Sequence, residues 1–402
     1  MYIKRQLENQ ILKLSKEYSC IIVTGARQVG KSTMLQKIFS NTNTISLDDF
    51  SLRRLAKTDP ELFLSTHSYP IIIDEVQYAP ELFPYIKIAI DKGAPPGSFI
   101  LTGSQSFKLM NLSRESLAGR VAIIHLNPLS QNEIFEKNNS EFKLEFDMIK
   151  KRKYKICDVH GIYERIFNGG LPALVSGKYT NRNEYFSSYI QTFIERDISD
   201  EISGVDKFLF SDFIRACACR IAQEINIHSI AVDIGISDDT AKRWLNVLEK
   251  SEIIYFIHPF SNNLLKRTIK YKKLYFFDTG IVSYLLRYSS SEILMNDAIN
   301  GAILENYVIN ELKKTYNNNL QEEIFYYYRD VDKNEIDLII DYDNELHPIE
   351  IKKSTIPSPS MINNFKILDK STRKRSNGCL LCMKETLVPI DKENYIIPIF
   401  MI

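Results

Sequence analysis

Gly25-Ala26-Arg27-Gln28-Val29-Gly30-Lys31-Ser32-Thr33 fills the spacing G-x-x-x-x-G-K-[ST] completely, between the apolar run Cys20 to Thr24 and a helical pattern that begins at Thr33. The chemistry that needs this order is the cradling of a nucleotide polyphosphate. Two glycines let successive backbone N–H groups turn inward around a β-phosphate, and the start of the following helix adds positive potential. Lys31 offers a point charge to the β- and γ-phosphates, and the Ser32 hydroxyl stands where it can ligate Mg²⁺. Further along, Ile71-Ile72-Ile73-Asp74-Glu75 is an apolar strand ending in two acids. Asp74 is expected to complete the Mg²⁺ shell and Glu75 to polarise a water for attack on the γ-phosphate. The next strand, Phe99 to Thr102, runs into Gly103 and Ser104. Thr102 and Ser104 read equally well as contacts to the γ-phosphate or its water and as ordinary strand-end caps.

A second set of chemical residues lies near the C-terminus. Glu305 sits on a helical pattern, Glu335-Ile336-Asp337 on one strand and Glu350-Ile351-Lys352 on the next. Strand residues two apart share a face, so Glu350 and Lys352 point to one side, where Asp337 can join them. Asp337 and Glu350 can hold Mg²⁺, Lys352 can position or deprotonate a water, and Glu305 can complete the outer shell. This ordered set is the pattern of the PD-(D/E)XK nuclease fold. Cleavage of nucleic acid and binding without cleavage both remain open, because such folds also serve as binding modules.

The elements that must position these residues follow from the patterning. Short β-rich runs at Cys20–Thr24, Thr44–Leu47, Pro70–Asp74, Phe99–Thr102 and Val121–Leu126 alternate with helical stretches, which predicts a five-stranded parallel sheet wrapped by helices. From Gln131 to Lys155 charged residues dominate, which predicts a solvated excursion. Gly169-Gly170-Leu171-Pro172 reads as a hinge-like turn, and Tyr185 to Ile202 as an amphipathic helix. Ile227 to Ile236, the polar turn Ser237 to Thr240, and Ala241 to Glu249, followed by a strand at Ile253 to His258, give the order of a winged helix-turn-helix. Its second helix would expose Thr240, Lys242, Arg243 and Asn246 and bury Trp244, Leu245 and Leu248. DNA contact and an interdomain scaffold are equally compatible with that helix. A further helix at Gly301–Lys314 precedes strands at Ile324–Tyr328, Glu335–Asp341, His347–Lys352, Gly378–Met383 and Tyr395–Ile402. The domain limits are therefore set at 1–135, 136–205, 206–296 and 297–402.

With the phosphate loop, Asp74-Glu75 and these elements in place, the chain resembles the AAA+ class of P-loop ATPases. It is similar in particular to a group of prokaryotic ATPases that begin Tyr-Ile-Lys-Arg, here Tyr2 to Arg5, although Ala26 and Ser32 replace the group's Pro and first Thr. Glu115 to Val121, Asn127 to Ser130 and Tyr275-Phe276-Phe277-Asp278-Thr279-Gly280 also match the group, whose C-terminal region is catalogued mainly as a domain of unknown function. The resemblance implies a multidomain α/β protein. Its parts would be an N-terminal P-loop (ASCE/AAA+) parallel sheet, a central helical and winged-helix region, and a C-terminal restriction-endonuclease-like α/β domain. It also implies ATP and Mg²⁺ as cofactors and a homo-oligomer. Arg120, with Arg114 as alternate, would reach a neighbouring subunit's γ-phosphate, while a cation favoured by a helix C-terminus is the competing role.

Composition narrows the partners. The chain has 51 basic and 50 acidic side chains and a formal charge of +1, which excludes a uniformly basic coat. Any DNA contact would have to come from local patches at Lys150–Lys155, Lys266–Lys273 and Arg373–Arg375. With 44% hydrophobic and 25% charged residues the chain is expected to fold throughout. No run of apolar residues suggests a signal peptide or a membrane span. Six scattered cysteines fit a reducing cytoplasm, with Cys379 and Cys382 read as core thiols.

Overall fold

The computed structural model describes residues 1–402 except 105–108, 110–115, 199–201, 203 and 262–270, and the side chains of residues 196 and 197. Arg114 and Lys266 to Lys270 lie outside the described residues. Among the described residues no helix is long and apolar enough to cross a membrane.

Five parallel strands, β1 (Cys20–Thr24), β2 (Asn43–Ser46), β3 (Ile71–Asp74), β4 (Phe99–Thr102) and β5 (Val121–His125), form the N-terminal sheet in the order β2-β3-β4-β1-β5. Every residue of β1 is buried, as an apolar run covered on both faces by crossover helices requires. Parallel pairing brings the C-terminal ends of β1, β3 and β4 to one edge, with Ile22 opposite Leu101 and Ile73 opposite Leu101 on its other side. The glycine loop, Asp74 and Thr102 all emerge at that edge, where open α/β sheets collect their ligands.

The second sheet contains β6 (Ile254–Pro259), β7 (Lys273–Phe276), β8 (Phe325–Arg329), β9 (Glu335–Tyr342), β10 (Glu345–Lys352), β11 (Lys374–Arg375), β12 (Gly378–Cys382), β13 (Val388–Pro389) and β14 (Asn394–Pro398). Its order is β13-β14-β12-β10-β9-β8-β6-β7, with β11 paired to β10. The antiparallel hairpin β6–β7 thus belongs to the same sheet as the carboxylate strands, joined by His258 opposite Tyr326 and Pro259 opposite Tyr327. The sheet crosses the limit drawn from sequence at residue 297. Cys379 and Cys382 are buried free thiols on β12. The last strand stops at Pro398, which cannot donate to a ladder beyond itself, and Ile399–Met401 turn as a 3₁₀ helix.

The stretch 131–155 is not the solvated excursion its charge suggests. Phe142, Leu144, Ile149 and Arg152 are buried, and the backbone is strapped to the C-terminal unit. Phe142 N donates to Thr315 Oγ1 at 3.0 Å, Tyr342 accepts from Leu144 N at 2.9 Å, and Arg152 Nε donates to the Met401 carbonyl at 2.7 Å. Isolated apolar residues spaced among lysines and glutamates carry the packing, so no periodicity betrays it.

Helix Ile227–Ile234 ends at Gly235 in the left-handed region (φ 76°), and Ser237 caps helix Asp238–Lys250 by accepting from Thr240 N. The expected polar turn is therefore a cap and a first helical turn. Lys242, Arg243 and Asn246 are exposed and Trp244, Leu245 and Leu248 buried, with Trp244 edge-on to Phe210 and Phe213. The helix expected at Tyr185–Ile202 runs Arg182–Phe193 and continues as a π-helical turn, Ile194–Ile198.

Candidate functional site

The glycine loop has a shape that only its glycines allow at the two ends. Gly25 has φ 140°, and a Cβ there would lie 2.2 Å from the Leu126 carbonyl oxygen. Gly30, at φ 92°, opens helix Lys31–Ile38. Lys31 is buried and donates to the carbonyls of Gly25 and Ala26 at 2.9 Å each. Burial pushes its pKa down, and the nearby carboxylates Glu75, Glu252 and Asp74 oppose that shift.

Ser32 Oγ donates to Asp74 Oδ1 at 2.8 Å, and Thr102 Oγ1 donates to the same oxygen. A hydroxyl and a carboxylate touching beside the lysine are the hard oxygen donors that Mg²⁺ takes alongside phosphate oxygens, so the residues fit the ion. Thr102 serves Asp74 directly. Ser104 is buried, and its hydroxyl has no hydrogen-bond partner among the described residues. Glu75, at φ 57°, accepts from Gln77 Nε2, and a Cβ on Gly103 would strike Gln77 Oε1 at 2.1 Å. Gln77 thus orients the candidate base, a role that spacing gave no means to find. Arg27 to Thr33, Glu75 and Ser104 line one cleft of about 810 Å³, closed on its other side by Tyr2, Ile3, Pro172 and Tyr179. Tyr185 donates its hydroxyl to Gln28 Oε1 from the adjacent helix.

Arg5 is the second functional residue that spacing missed. Its guanidinium donates to the Val29 carbonyl at 2.8 Å, to the Asn127 carbonyl at 2.6 Å and to Glu133 Oε1 at 2.9 Å. It ties the phosphate loop to the segment after β5. The only sequence signal was its place in Tyr2 to Arg5. Arg120 lies before β5, at the end of the sheet away from the loop, and pairs with Asp91 at 2.6 Å. It cannot reach the nucleotide cleft of its own chain.

The C-terminal residues come together with a lysine that the sequence pattern did not contain. Lys352 Nζ lies 2.5 Å from Glu350 Oε1 and 3.4 Å from Asp337 Oδ2, and Asp337 Oδ2 also accepts from Ile351 N at 2.8 Å. Glu305 Oε1 accepts from Lys273 at 3.0 Å and from Tyr275 at 2.7 Å, and Lys273 is 2.6 Å from Glu335. Among the described residues no group of three or more His, Cys, Asp or Glu is arranged to hold a metal ion. Asp337 and Glu350, the pair expected to hold Mg²⁺, share Lys352 between them, and Glu305 stands on Lys273 and Tyr275. An ammonium, hydroxyl or backbone N–H group takes one oxygen of each carboxylate, and Glu350 Oε2 is buried without a partner among the described residues.

Burial, with the Asp337 charge, pushes Glu350 up to about 8, and burial pushes Glu305 up to about 7. Between about pH 4.5 and those values the folded protein keeps protons that the unfolded chain releases, so stability falls as pH rises through that window. Lys273 and Lys352 are held above the ordinary lysine range and stay charged across it. The melting temperature of nucleotide-free protein should therefore decline from about pH 6 to about pH 8.5, with a shallower decline in Glu350→Gln. An unchanged slope in that variant would remove Glu350 as its source.

Arg373–Arg375 and Lys273 are paired or buried within the molecule. Arg375 pairs with Asp369 at 2.6 Å, Lys374 with Glu345 at 2.5 Å, Arg373 with Asp341, and Lys273 is buried. Lys150, Lys151, Lys153 and Lys155 remain exposed, while Arg152 is buried.

Comparison with known proteins divides the chain in three. Residues 17–135 match a family model described as an AAA domain, and residues 159–292 and 300–402 match two separate domains of unknown function. An uncharacterized protein of Mycobacterium tuberculosis is 27% identical over 353 residues, covering 87% of this chain and 74% of its own. One of Methanocaldococcus jannaschii is 23% identical, covering 76% and 70%. Among solved structures, a Walker-type ATPase of Pyrococcus abyssi aligns over 71% of this chain and 96% of its own, at 16% identity and a TM-score of 0.45. With the phosphate loop, Ser32–Asp74 and the parallel sheet in place, the match over residues 17–135 makes the N-terminal region a P-loop, AAA-like nucleotide-binding domain.

Proposed function

We propose that the protein is an Mg²⁺-dependent ATPase whose nucleotide state is passed to its helical and C-terminal regions, acting as a nucleotide-gated switch. One observation carries this reading: Lys31, the Ser32–Asp74–Thr102 cluster, the Gln77-held Glu75 and the buried Ser104 hydroxyl meet at one sheet edge. On this reading the loop N–H groups and Lys31 would bind the phosphates, Ser32 and Asp74 would hold Mg²⁺, and Glu75 would take the proton of the attacking water. Mg²⁺, when bound, neutralises charge on the phosphate oxygens. Ser104 can donate to the γ-phosphate or the water.

Two contacts support transmission. Asp278, in the loop after β7, accepts from Gly170 N at 2.7 Å, and the Gly169–Pro172 turn leads into the far wall of the cleft. Glu252, between helix Asp238–Lys250 and β6, lies 2.9 Å from His125 at the end of β5. These contacts offer a route by which bound nucleotide would act on the hairpin and the helices.

Of the two readings of the C-terminal unit, the lysine pairing of its carboxylates favours binding without cleavage. Action on DNA through a winged helix draws on the exposed Lys242, Arg243 and Asn246, but Asp238 and Asp239 occupy the first turn of that helix and oppose phosphate there. A scaffold role suits it better. Purified protein should hydrolyse ATP only with Mg²⁺, and Glu75→Gln should retain nucleotide binding while turnover falls about 100-fold or more. Equal turnover in Glu75→Gln would sink the mechanism. The same assay with duplex DNA reports any DNA coupling. Across a dilution series it reports the trans role proposed for Arg120, as turnover per chain that falls on dilution.

A further inference from the structure

The segment Lys150 to Ile156 carries charge that the fold leaves unspent. Lys150-Lys151-Arg152-Lys153-Tyr154-Lys155-Ile156 contains five bases and no acid. Arg152 turns inward, while Lys150, Lys151, Lys153 and Lys155 are exposed. Among the described residues none of these four lysines forms an ion pair, in contrast to Lys374 and Arg375. The flanking acids do not cancel them. Glu141 lies 3.8 Å from Lys143, Asp158 caps helix Val159–Asn168, and Asp147, in the first turn of the short helix that ends in Lys150 and Lys151, pairs with neither. Charge alone would describe any solvated lysine run. Two further features set this one apart.

Its backbone is pinned. Arg152 donates to the carbonyls of Met401 at 2.7 Å and Ser140 at 3.1 Å. The buried Asn139 amide holds Lys153 at both backbone groups, accepting from its N–H at 2.9 Å and donating to its carbonyl at 2.8 Å. The lysines are therefore presented from a fixed main chain, and less ordering entropy opposes a ligand that binds along it. Aromatic rings are also interleaved with the charges. Lys150 Nζ lies 4.2 Å from the centroid of the Phe146 ring, which is stacked on Tyr395, and Lys155 Nζ lies 4.8 Å from that of Phe135. Tyr154, between Lys153 and Lys155, rests against Phe400 with ring centroids 5.5 Å apart and is 42% exposed. A half-exposed ring backed by a second ring is a platform on which a base can stack.

We propose that Lys150 to Lys155 is a docking strip for a single-stranded nucleic acid, in which Lys150, Lys151, Lys153 and Lys155 take phosphates and Tyr154 stacks a base. Attraction to phosphate is common to duplex and single strand, whereas a stacking ring needs an unpaired base, and that favours the single strand. The strip belongs to the segment between the matched regions 17–135 and 159–292, not to the helices of the winged-helix order. This inference does not depend on ATP turnover.

The test is fluorescence anisotropy of a labelled oligothymidylate of about 20 nucleotides with nucleotide-free, full-length protein. Affinity should fall roughly 50-fold between about 50 and about 200 mM salt, the slope of a single strand held at about four phosphates. Lys151→Glu/Lys153→Glu, which changes exposed side chains only, should weaken binding at least about 10-fold and reduce the salt effect to roughly 7-fold. Tyr154→Leu, which keeps apolar cover over Phe400, should weaken binding about threefold or more with the salt slope unchanged. Lys242→Glu/Arg243→Glu should bind as the native chain does. Absence of binding at low salt overturns the proposal, and so does native affinity in either Lys151→Glu/Lys153→Glu or Tyr154→Leu. A duplex bound more tightly than the single strand overturns it too. So does displacement of the oligonucleotide by polyglutamate at equal charge, since charge and not a stacked base would then be what the strip recognises.

Discussion

Lys31→Ala should lower Mg²⁺-dependent ATP turnover at least about 100-fold, on the scale of removing one preorganised charge from a phosphate-transfer site, without lowering the melting temperature of the nucleotide-free protein. The two halves of this expectation have one cause. Lys31 is buried against the Gly25 and Ala26 carbonyls, and among the described residues no carboxylate forms an ion pair with its ammonium, so a desolvated charge is offset only partly by Glu75, Glu252 and Asp74 nearby. Removing it relieves the folded protein and disarms the nucleotide site. Lys31→Arg should not restore turnover, because a planar fork cannot replace a compact ammonium between two loop carbonyls. Turnover in Lys31→Ala above about a tenth of the native rate would mean that the cleft does not work as a phosphate loop. A variant that melts well below the native protein would show instead that the ammonium supports the loop.

The N-terminal site was legible because its chemistry is local in sequence. A loop of nine residues states its own geometry, and β1, β3 and β4 are short apolar runs because they are buried on both faces. Asp74 and Ser32 could be paired from their positions at the ends of neighbouring elements. What completes that site was not legible. Gln77 and Arg5 act through contacts that depend on how a turn folds back and how the chain start crosses the sheet.

The C-terminal set shows the opposite failure. Asp337, Glu350 and Lys352 stand in contact, yet the pattern could not reveal that Glu305 is held by Lys273 and Tyr275. Lys273 lies on an edge strand that sequence assigned to a different unit, and it reads there as one more lysine of a surface basic run. The buried strap at Phe142 to Arg152 was hidden for the same reason, since its neighbours in sequence are charged and its neighbours in space are remote. Charge balance along the chain was informative about coats and tails. It was silent about lysines and arginines consumed inside.

Arg5→Ala should cost about 3–5 kcal/mol of stability, the penalty for leaving a buried carboxylate without its cation. Arg5 and Glu133 are 3% and 0% exposed, and the guanidinium spans an acid and two carbonyls that no shorter or rounder group can reach together. In the variant Glu133 keeps only the backbone N–H groups of Gln6 and Ser130, at 3.0 and 2.9 Å, and the Ser130 hydroxyl. Hydrogen bonds of that kind do not neutralise a desolvated charge. Glu133 also closes the capping box of helix Gln131–Ile134, and Gln can hold the same box. Glu133→Gln therefore removes the charge and leaves the cap. Urea unfolding should show Arg5→Ala/Glu133→Gln to be more stable than Arg5→Ala alone, so that the second substitution rescues the first. If the double variant were instead the less stable by the full cost of each change, the ion pair would not be the source of the loss. The Val29 carbonyl belongs to the phosphate loop, so the same loss should appear at the nucleotide site. Arg5→Ala folded at low temperature should show a higher KM for ATP with a smaller change in kcat, because Arg5 sets the shape of the loop and touches no reacting atom.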